Sequence, residues 1–348
     1  MSLELQPSTA SQLEDIAGLL CEAFNAPSNA AFVDHRLLRW KYFDSAEVWG
    51  RPCSYVLTQM EALAAHCAVA PLDLLVPVGP AINRVPGVCF MDWASARQAP
   101  YAGLLLKKRL MRTTGVAIVT GGTALTRALI PKLGFAIHTS VDTFARVIRP
   151  LRQWRTRPRT SRWKDAARLL RNTMWSFAPL STLSPEWTAI RVENFAEETH
   201  TSLTDVTIPE HGVELLNYWL RCPTVAVNGY EIRRRGVLCG HFLLTQIGGQ
   251  TRIADLRLTS AESVDWQMAY RLAAEIAAQD DATCEVVALA STPLGRQALS
   301  GCGFRRRGST PLSIYDPQRN LTSAPPLFWS YMDNDAGYLY DPASPYCT

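Results

Sequence analysis

The chain has 348 residues, of which 47% are hydrophobic and 19% charged, and its formal net charge is +4. This composition describes a globular chain, and the length exceeds what one hydrophobic core usually serves, so two domains are expected. A net charge this small excludes a dedicated nucleic-acid binder, and no DNA partner is expected.

Strand and helix signals follow one another in a definite order through the first half. A short strand over residues 3–6 precedes a helix with apolar residues at helical spacing, and a second helix is predicted over residues 32–43. Three strand-like runs come next, over residues 54–59, 63–76 and 88–93. The half then continues with a helix, a buried strand, a second helix and a closing strand, over residues 103–111, 116–120, 123–133 and 135–147.

The second half predicts the same order of elements. Its strands are expected over residues 188–192, 230–233, 237–246, 251–258, 285–290 and 304–315. Its helices are expected over residues 213–220 and 264–279, with a short third helix that ends at Leu299. Long hairpins followed by two strand–helix–strand crossovers predict an α/β fold, in which each half is a mixed, mostly antiparallel sheet flanked by helices.

The two halves also share landmark residues in the same order. Tyr55 precedes His66 by 11 residues, and Tyr230 precedes His241 by 11 residues. Further pairs are Leu37 with Leu215, Asp92 with Asp255 and Phe135 with Phe304, and the offsets stay between 163 and 178 residues. We interpret this as an internal duplication. It predicts a first domain over residues 1–150, a linker over 151–186, a second domain over 187–317 and a tail over 318–348.

Two short segments of the first half resemble motifs of a known superfamily. The helix end Lys132-Leu133-Gly134-Phe135 is one, and the segment Gln98-Ala99-Pro100-Tyr101-Ala102-Gly103, similar to a Q/R-x-x-G-x-G/A signature, is the other. With the order of elements, they resemble the GNAT acyltransferase superfamily in tandem form, over about residues 3–150 and 187–317. The resemblance implies that acetyl-CoA or another acyl-CoA binds at Trp93, Ala94, Ser95, Gln98, Tyr101, Ala102 and Gly103.

The physical reason for such a motif does not depend on the family. A pyrophosphate needs several converging backbone N–H donors, and the start of a helix presents them with a favourable dipole. Ala102 and Gly103 are small enough to let phosphate oxygens approach, whereas Tyr101 stands where the signature has its first glycine. The alternative interpretation is an ordinary loop that enters a helix. In the second half the corresponding residues 260–265 carry two carboxylates, which would repel a pyrophosphate, so that domain is expected to shape the acceptor cleft.

Catalysis needs a base for the acceptor amine and a group that protonates the leaving thiolate. His66 and Asp92 are the candidate bases, because adjacent strands bring them near the cofactor cleft. The resemblance implies a tyrosine as acid, but Ile130 and Leu299 occupy that position, so Tyr101 or water takes this role. The alternative for His66 is a strand histidine satisfied by a neighbour, and Asp92 could simply bond a loop backbone.

The linker and the tail carry unusual compositions. Residues 149–171 contain nine basic side chains and one acidic side chain, with an extended first part and a basic amphipathic helix predicted over residues 161–174. A solvated connector, an electropositive rim for anionic substrates, and membrane-surface or RNA attachment are the three interpretations. In the tail, Asp333 and Asp335 resemble half of a cation site, but we expect this segment to pack across the junction of the halves.

Cysteine usage and hydropathy indicate the compartment. Nine cysteines are scattered singly with no zinc-like spacing, so no metal and a reducing compartment are expected. The N-terminus has no signal-peptide pattern, and the apolar region over residues 62–82 is interrupted by His66 and Asp73. A cytoplasmic protein that is not integral to a membrane is therefore expected.

The function predicted from these patterns is an acyl-CoA-dependent N-acyltransferase. It would move an acetyl or longer acyl group from CoA to the amine of a small metabolite or amino sugar by direct attack. Two alternatives stay open: a catalytically degenerate GNAT-like binding or scaffold protein, and a tRNA-dependent aminoacyl transferase that uses the basic linker.

Overall fold

The computed structural model describes residues 4–159, 161–177, 183–197, 203, 205–321, 324–342 and 344–348. Parts of the predicted first strand, linker and tail lie outside these ranges. The strands are β1 (Glu4–Pro7), β2 (Ser54–Gln59), β3 (Ala62–Val78), β4 (Ala81–Ser95), β5 (Val116–Thr120), β6 (Ala136–Val147), β7 (Trp187–Val192), β8 (Ile208–Pro209), β9 (Ala226–Arg234), β10 (Val237–Ile247), β11 (Gln250–Leu258), β12 (Glu285–Ala290) and β13 (Arg305–Tyr315).

Helices cover both faces of these strands. The α-helices are α1 (Leu13–Phe24), α2 (His35–Arg39), α3 (Ser45–Trp49), α4 (Ala102–Thr113), α5 (Ala124–Leu129), α6 (Pro150–Thr156), α7 (Arg162–Ser176), α8 (Val213–Leu220), α9 (Ser263–Gln279) and α10 (Pro293–Gly301). A π-helical turn (Trp40–Asp44) joins α2 to α3, and short 3-10 turns flank several helices. None of the helices in the described residues is long and apolar enough to cross a bilayer.

Three predicted elements differ from the structure for local reasons. The helix predicted over residues 32–43 is broken, because Asp34 caps α2 by accepting from the Arg36 N–H and a π turn follows. The helix over residues 123–133 divides at Pro131, which cannot donate the backbone hydrogen bond that would continue α5. The extended segment predicted after residue 149 is instead α6, with Pro150 in the first turn, where proline is well tolerated.

All strands of the described chain join one mixed sheet. Its order is β1-β2-β3-β4-β5-β13-β6-β12-β11-β10-β9-β7, with β8 beside β3. Between the named strands only β4 with β5 and β11 with β12 pair in parallel. The predicted mixed, mostly antiparallel α/β fold is confirmed, but its two halves share the sheet.

The halves exchange their last strands at the centre of this sheet. The closing strand of the first half, β6, pairs with β12 of the second half, and β13 pairs with β5 of the first half. β6 and β13 then pair with each other along most of their length. The strand over residues 135–147, predicted to close its own half, therefore closes the other one.

The counterparts of the duplication also meet at the junction. Trp40 and Tyr218, separated by the same 178 residues as Leu37 and Leu215, stack with ring centroids 5.0 Å apart and an interplanar angle of 2°. The Tyr218 hydroxyl donates to the Trp40 carbonyl. Leu37, Leu215 and the tail residue Tyr331 belong to the same buried cluster. The α2 and α8 segments thus pack as a pseudo-symmetric pair.

One cation is buried in the core of the first half. Lys107 of α4 is 1% exposed, and its ammonium lies 4.8, 4.6 and 5.4 Å from the ring centroids of Phe90, Trp93 and Phe135. Burial lowers its pKa to about 8. Cation–π attraction compensates in part for the lost hydration of the ammonium.

We therefore expect Lys107→Met to raise the free energy of unfolding by about 2 kcal/mol at neutral pH, because an apolar side chain of similar length needs no hydration. The parent should gain stability as pH rises from about 8 toward the ordinary lysine pKa, since the unfolded chain holds the proton there more firmly. Denaturant titration measures both effects. Lys108→Met, at the exposed next position, is the control, and an equal gain in both variants would contradict the argument.

Candidate functional site

A gap between β4 and β5 defines the candidate site. The two strands pair only where Gly87–Cys89 lie beside Val116–Ile118. Beyond this point β4 continues along β3, where the register shifts between His66 and Ala68, and Asp92 takes a positive φ of 39°. The bulge bends β4 away from β5, so on that side its last residues pair with no strand of the described chain.

Two connected cavities open from this gap. The inner one has a volume of about 280 Å³ and is lined by the ends of β4 and β5, including Phe90 and Thr120, and by β6, β12, β13 and the tail. The outer one has about 620 Å³ and reaches Asp92, Arg252 and the tail. Four residues line both cavities: Thr143, Tyr331, Asp335 and Ala336. The pair forms one cleft at the junction of the two halves, a usual place for a ligand site.

The tail forms one wall of this cleft. The Asn334 side-chain amide donates to Thr120 Oγ1 at 2.9 Å, and the Trp329 N–H donates to Ser291 Oγ at 2.8 Å. These contacts attach the tail to the first half at β5 and to the second half just after β12. The tail therefore lies across the exchanged strands and positions its two carboxylates.

One of the two tail carboxylates, that of Asp335, belongs to a charged cluster where the inner and outer cavities meet. Lys41 Nζ donates to Asp335 Oδ2 at 2.7 Å and also to Asp92 Oδ2. The Tyr42 hydroxyl donates to the same Asp92 oxygen at 2.6 Å. The π-helical turn places Lys41 and Tyr42, consecutive in sequence, on the same carboxylate, and such turns often occur at functional sites. One ammonium thus faces two carboxylates.

The two carboxylates of this cluster differ in acidity. Burial opposes ionisation of Asp92, but Lys41 and the Tyr42 hydroxyl outweigh it and lower its pKa. Burial, together with the nearby Asp92 carboxylate, raises the pKa of Asp335 despite Lys41. The Asp335 side chain keeps 22% of its exposure, whereas that of Lys41 keeps 4%. Asp335 is therefore the carboxylate better suited to take up a proton from the cleft.

His66 supports the bulge from within the core. Its Nδ1 lies 3.1 Å from the Asp92 carbonyl oxygen, which can only accept, so Nδ1 carries the proton. Its Nε2 then accepts from the Ser54 hydroxyl at 2.8 Å. The ring is 0% exposed, and burial lowers its pKa to about 4. A neutral imidazole with both nitrogens engaged fixes the Asp92 backbone.

The predicted cofactor loop has a closely packed end. Helix α4 begins at Ala102, after Tyr101, whose ring is 80% exposed and lines neither cavity. The Ala102 N–H bonds the Ala99 carbonyl, and the Gly103 N–H donates to Ser95 Oγ at 2.9 Å. Gln98 is exposed beside them. Two of the N–H groups expected to face a pyrophosphate are thus engaged within the chain.

Gly103 is required by packing. A Cβ there would lie 2.5 Å from Ser95 Oγ, 2.7 Å from Trp93 Nε1 and 3.0 Å from the Ala94 carbonyl oxygen. We expect Gly103→Ala to lower the free energy of unfolding by about 1–3 kcal/mol, the usual cost of overpacking. Gly18→Ala, in helix α1 with no atom within 4 Å of the added Cβ, should instead stabilise by about 0.5–1 kcal/mol. Thermal and denaturant unfolding would measure both, and equal effects would contradict this packing argument.

The second half fills its equivalent gap. Asp255, the counterpart of Asp92, is bound by His211 Nδ1 at 3.1 Å and His241 Nε2 at 3.2 Å. His211 Nε2 lies 2.8 Å from Asp333, the second tail carboxylate. Arg257 Nε lies 3.2 Å from Asp255 Oδ1. Each half thus joins its duplicated aspartate to one tail aspartate through a basic side chain.

Sequence reasoning located part of this site. It named His66, Asp92 and the residues around Gly103, and the structure brings His66 to Asp92, and Trp93, Ala94 and Ser95 to Gly103. It missed Lys41 and Tyr42, and treated Asp335 only as one of two carboxylates in an aromatic tail expected to pack across the junction of the halves. No cluster of three or more metal-ligating side chains occurs in the described ranges, and Asp333 and Asp335 bind His211 and Lys41.

Comparison with solved structures identifies the fold. A GCN5-related N-acetyltransferase from Anabaena variabilis ATCC 29413 matches with a TM-score of 0.55 at 11% identity, covering 90% of this chain and 73% of that one. The Saccharomyces cerevisiae N-myristoyltransferase with bound myristoyl-CoA matches at 0.56 and 13%, covering 90% and 78%. A putative acetyltransferase from Pyrococcus horikoshii matches at 0.52 and 9%, covering 94% of each chain.

These likenesses show that the chain has a GNAT-like fold, as its sequence resemblance predicted. The chain matches no protein-family model. No curated protein matches it in sequence.

Proposed function

We propose that the protein is an acyl-CoA-dependent N-acyltransferase whose acceptor is the amine of a small metabolite or amino sugar. The observation that carries the proposal is the gap between β4 and β5, which opens through a small cavity into a larger cleft. The acyl thioester would lie in the inner cavity against Phe90, and the acceptor would enter the outer one. In the S. cerevisiae neighbour, an enzyme of the same fold binds myristoyl-CoA.

The reaction would use Asp335, which lines both cavities, and the backbone of β4 just beyond its bulge. A neutral amine attacks the thioester carbonyl carbon, and a backbone N–H of β4 after its bulge, at Trp93 or Ala94, stabilises the oxyanion. Asp335 takes the proton that the amine nitrogen loses as the C–N bond forms. The C–S bond then breaks, and because a thiolate is a weak base it can leave as the anion without a general acid and take up a proton from solvent afterwards.

The remaining site residues act by positioning in this proposal. Lys41 holds Asp335 and Asp92 together, and His66 holds the Asp92 backbone at the bulge. In this proposal the CoA phosphates approach Gln98 and Tyr101, which are exposed at the start of α4. The compartment that supplies both acyl-CoA and a free amine would be the cytoplasm.

A second candidate, a binding protein without turnover, is favoured by one observation. The N–H groups of Ala102 and Gly103 are already bonded, which leaves fewer donors for a pyrophosphate. Isothermal titration with acetyl-CoA and longer acyl-CoAs, followed by thiol release on a panel of amines, separates the two. Binding with thiol release that depends on the amine supports the transferase. Binding without release, or no binding of any acyl-CoA, contradicts the transferase and supports the second candidate.

A further inference from the structure

Helix α7 of the linker buries polar side chains and exposes apolar ones, the reverse of an ordinary surface helix. The buried residues of α7 are Asp165 and Asn172, both polar. The exposed large apolar side chains are Trp163, Leu170, Met174 and Phe177, with exposures of 83, 66, 66 and 79%. At 3.6 residues per turn, these four fall within one narrow stripe of the helix. Its apolar stripe therefore faces outward.

Helices α6 and α7 pack as a helical hairpin, and polar side chains buried in this hairpin hold α7 in its orientation. Asn172 Nδ2 donates to Gln153 Oε1 of α6 at 2.8 Å, and Gln153 Nε2 donates to the Glu285 carboxylate of β12 at 3.0 Å. The hydroxyl of Thr348 also accepts from Gln153, at 2.6 Å. Because every member of this network is bonded, rotating α7 to bury its apolar stripe would leave these polar groups unpaired.

The hairpin also carries the positive charge of the protein. Residues 149–171 contain nine of the protein's 35 basic residues and one of its 31 acidic residues. This segment therefore has a formal charge of +8, and the rest of the chain has a formal charge of −4. A groove between α6 and α7 is lined by Arg157, Arg159 and Arg168. Arg162 and Lys164 are exposed beside Trp163. Guanidinium and ammonium groups in this arrangement suit phosphate oxygens.

We propose that the hairpin surface, formed by α6 and α7, docks the protein on the face of a lipid bilayer that contains anionic phospholipids. The side chains of Trp163, Leu170, Met174 and Phe177 enter the boundary between headgroups and acyl chains. Arg162 and Lys164, exposed on either side of Trp163, meet the phosphates, and the arginines of the groove on the opposite side of α7 add to the attraction at longer range. A second copy of the chain is a poorer occupant, because two surfaces of +8 would repel. RNA would satisfy the charges but not the aliphatic side chains of Leu170 and Met174.

Vesicle sedimentation with the full chain tests this proposal. We expect binding to vesicles of phosphatidylcholine with phosphatidylglycerol to be about tenfold or more tighter than to phosphatidylcholine alone, and to weaken as salt is added. Trp163→Ser combined with Leu170→Ser should lower the affinity about tenfold or more, since two anchoring side chains are lost. Both positions are exposed, so the fold should be unaffected, as circular dichroism can verify.

Matched variants distinguish vesicle binding through this surface from non-specific adsorption of exposed apolar side chains. Ile82→Ser combined with Val264→Ser removes two equally exposed apolar side chains elsewhere and should leave binding unchanged. Arg162→Glu combined with Lys164→Glu should abolish the preference for anionic vesicles. Equal binding to both vesicle types, or no binding to either, would overturn the proposal. An equal loss of affinity in the Ile82 and Val264 control would also overturn it. So would a dimer or an RNA complex that depends on Trp163 in a protein that does not bind vesicles.

Discussion

Replacing Asp335 with asparagine is expected to lower kcat/KM for acyl transfer about 100-fold, at the low end of what general bases contribute. In the parent, Lys41 Nζ donates to Asp335 Oδ2 at 2.7 Å. An amide keeps the shape of the carboxylate, and its oxygen can still accept this hydrogen bond. It cannot take up the proton that the amine loses. The fold and the KM for acyl-CoA should therefore stay close to those of the parent while kcat falls.

The pH dependence of the same variant separates proton transfer from mere positioning. Burial and the neighbouring Asp92 carboxylate raise the pKa of Asp335, so the parent should lose activity on the acid side at a pH above the ordinary range of aspartate. The base works only when ionised, so activity rises with pH through this pKa. Asp335→Asn should lack that limb.

The control for this experiment is Asp281→Asn, which removes the same charge from a side chain 93% exposed. Steady-state thiol release with the amine identified by the panel measures all three proteins. If Asp335→Asn retains the kcat and the acid limb of the parent, the base is another residue and this assignment is wrong. Loss of activity with an altered thermal midpoint would indicate a structural role instead.

How far the sequence could predict this molecule depended on whether a feature was local. The duplicated pairs, such as His66 with His241 and Asp92 with Asp255, were visible because each half repeats its own pattern. Helix bounds failed where a single side chain decided them, as with the Asp34 cap and Pro131. The periodicity of apolar residues does not show such effects of single side chains on a helix end.

The strand exchange could not be predicted for a different reason. β6 and β13 follow equivalent helices, and the alternation of side chains in a strand fixes its face but does not name its neighbour. Their placement depends on the packing of the whole junction, including the Trp40–Tyr218 stack. The predicted succession of elements was therefore right while the partner of the last strand was wrong.

The charged part of the site lay beyond sequence reasoning because its partners are distant. Asp335 reaches Lys41 across 294 residues, and Asp333 reaches His211 across 122. The sequence favoured a tail packed across the junction of the halves over a cation site, but it did not indicate that each of its two aspartates has its own basic partner. A signal did exist: the acidic pair follows an apolar aromatic run, which predicts a tail that returns to the core, where carboxylates need partners.

Replacing Asp255 with asparagine should lower the free energy of unfolding by about 3–5 kcal/mol, the usual cost of breaking a buried ion pair. The Asp255 side chain is 0% exposed and Arg257 is 5% exposed, so the arginine would remain in the core without its carboxylate. Attraction by Arg257 and His211 outweighs burial and holds the pKa of Asp255 well below its usual range, which shows how strongly the charges depend on each other.

A double variant tests whether this loss comes from the stranded charge. Asp255→Asn combined with Arg257→Met should be more stable than Asp255→Asn alone, since methionine can pack against Phe328, whose ring centroid lies 4.4 Å from the Arg257 guanidinium carbon. Urea unfolding of both single variants and the double variant gives the coupling energy, with Asp281→Asn as the surface control. Additive losses would mean that Asp255 stabilises the fold through its histidine bonds. Recovery in the double variant would show that the loss in Asp255→Asn comes from the unpaired charge of Arg257, and that the two side chains stabilise the second half as an ion pair.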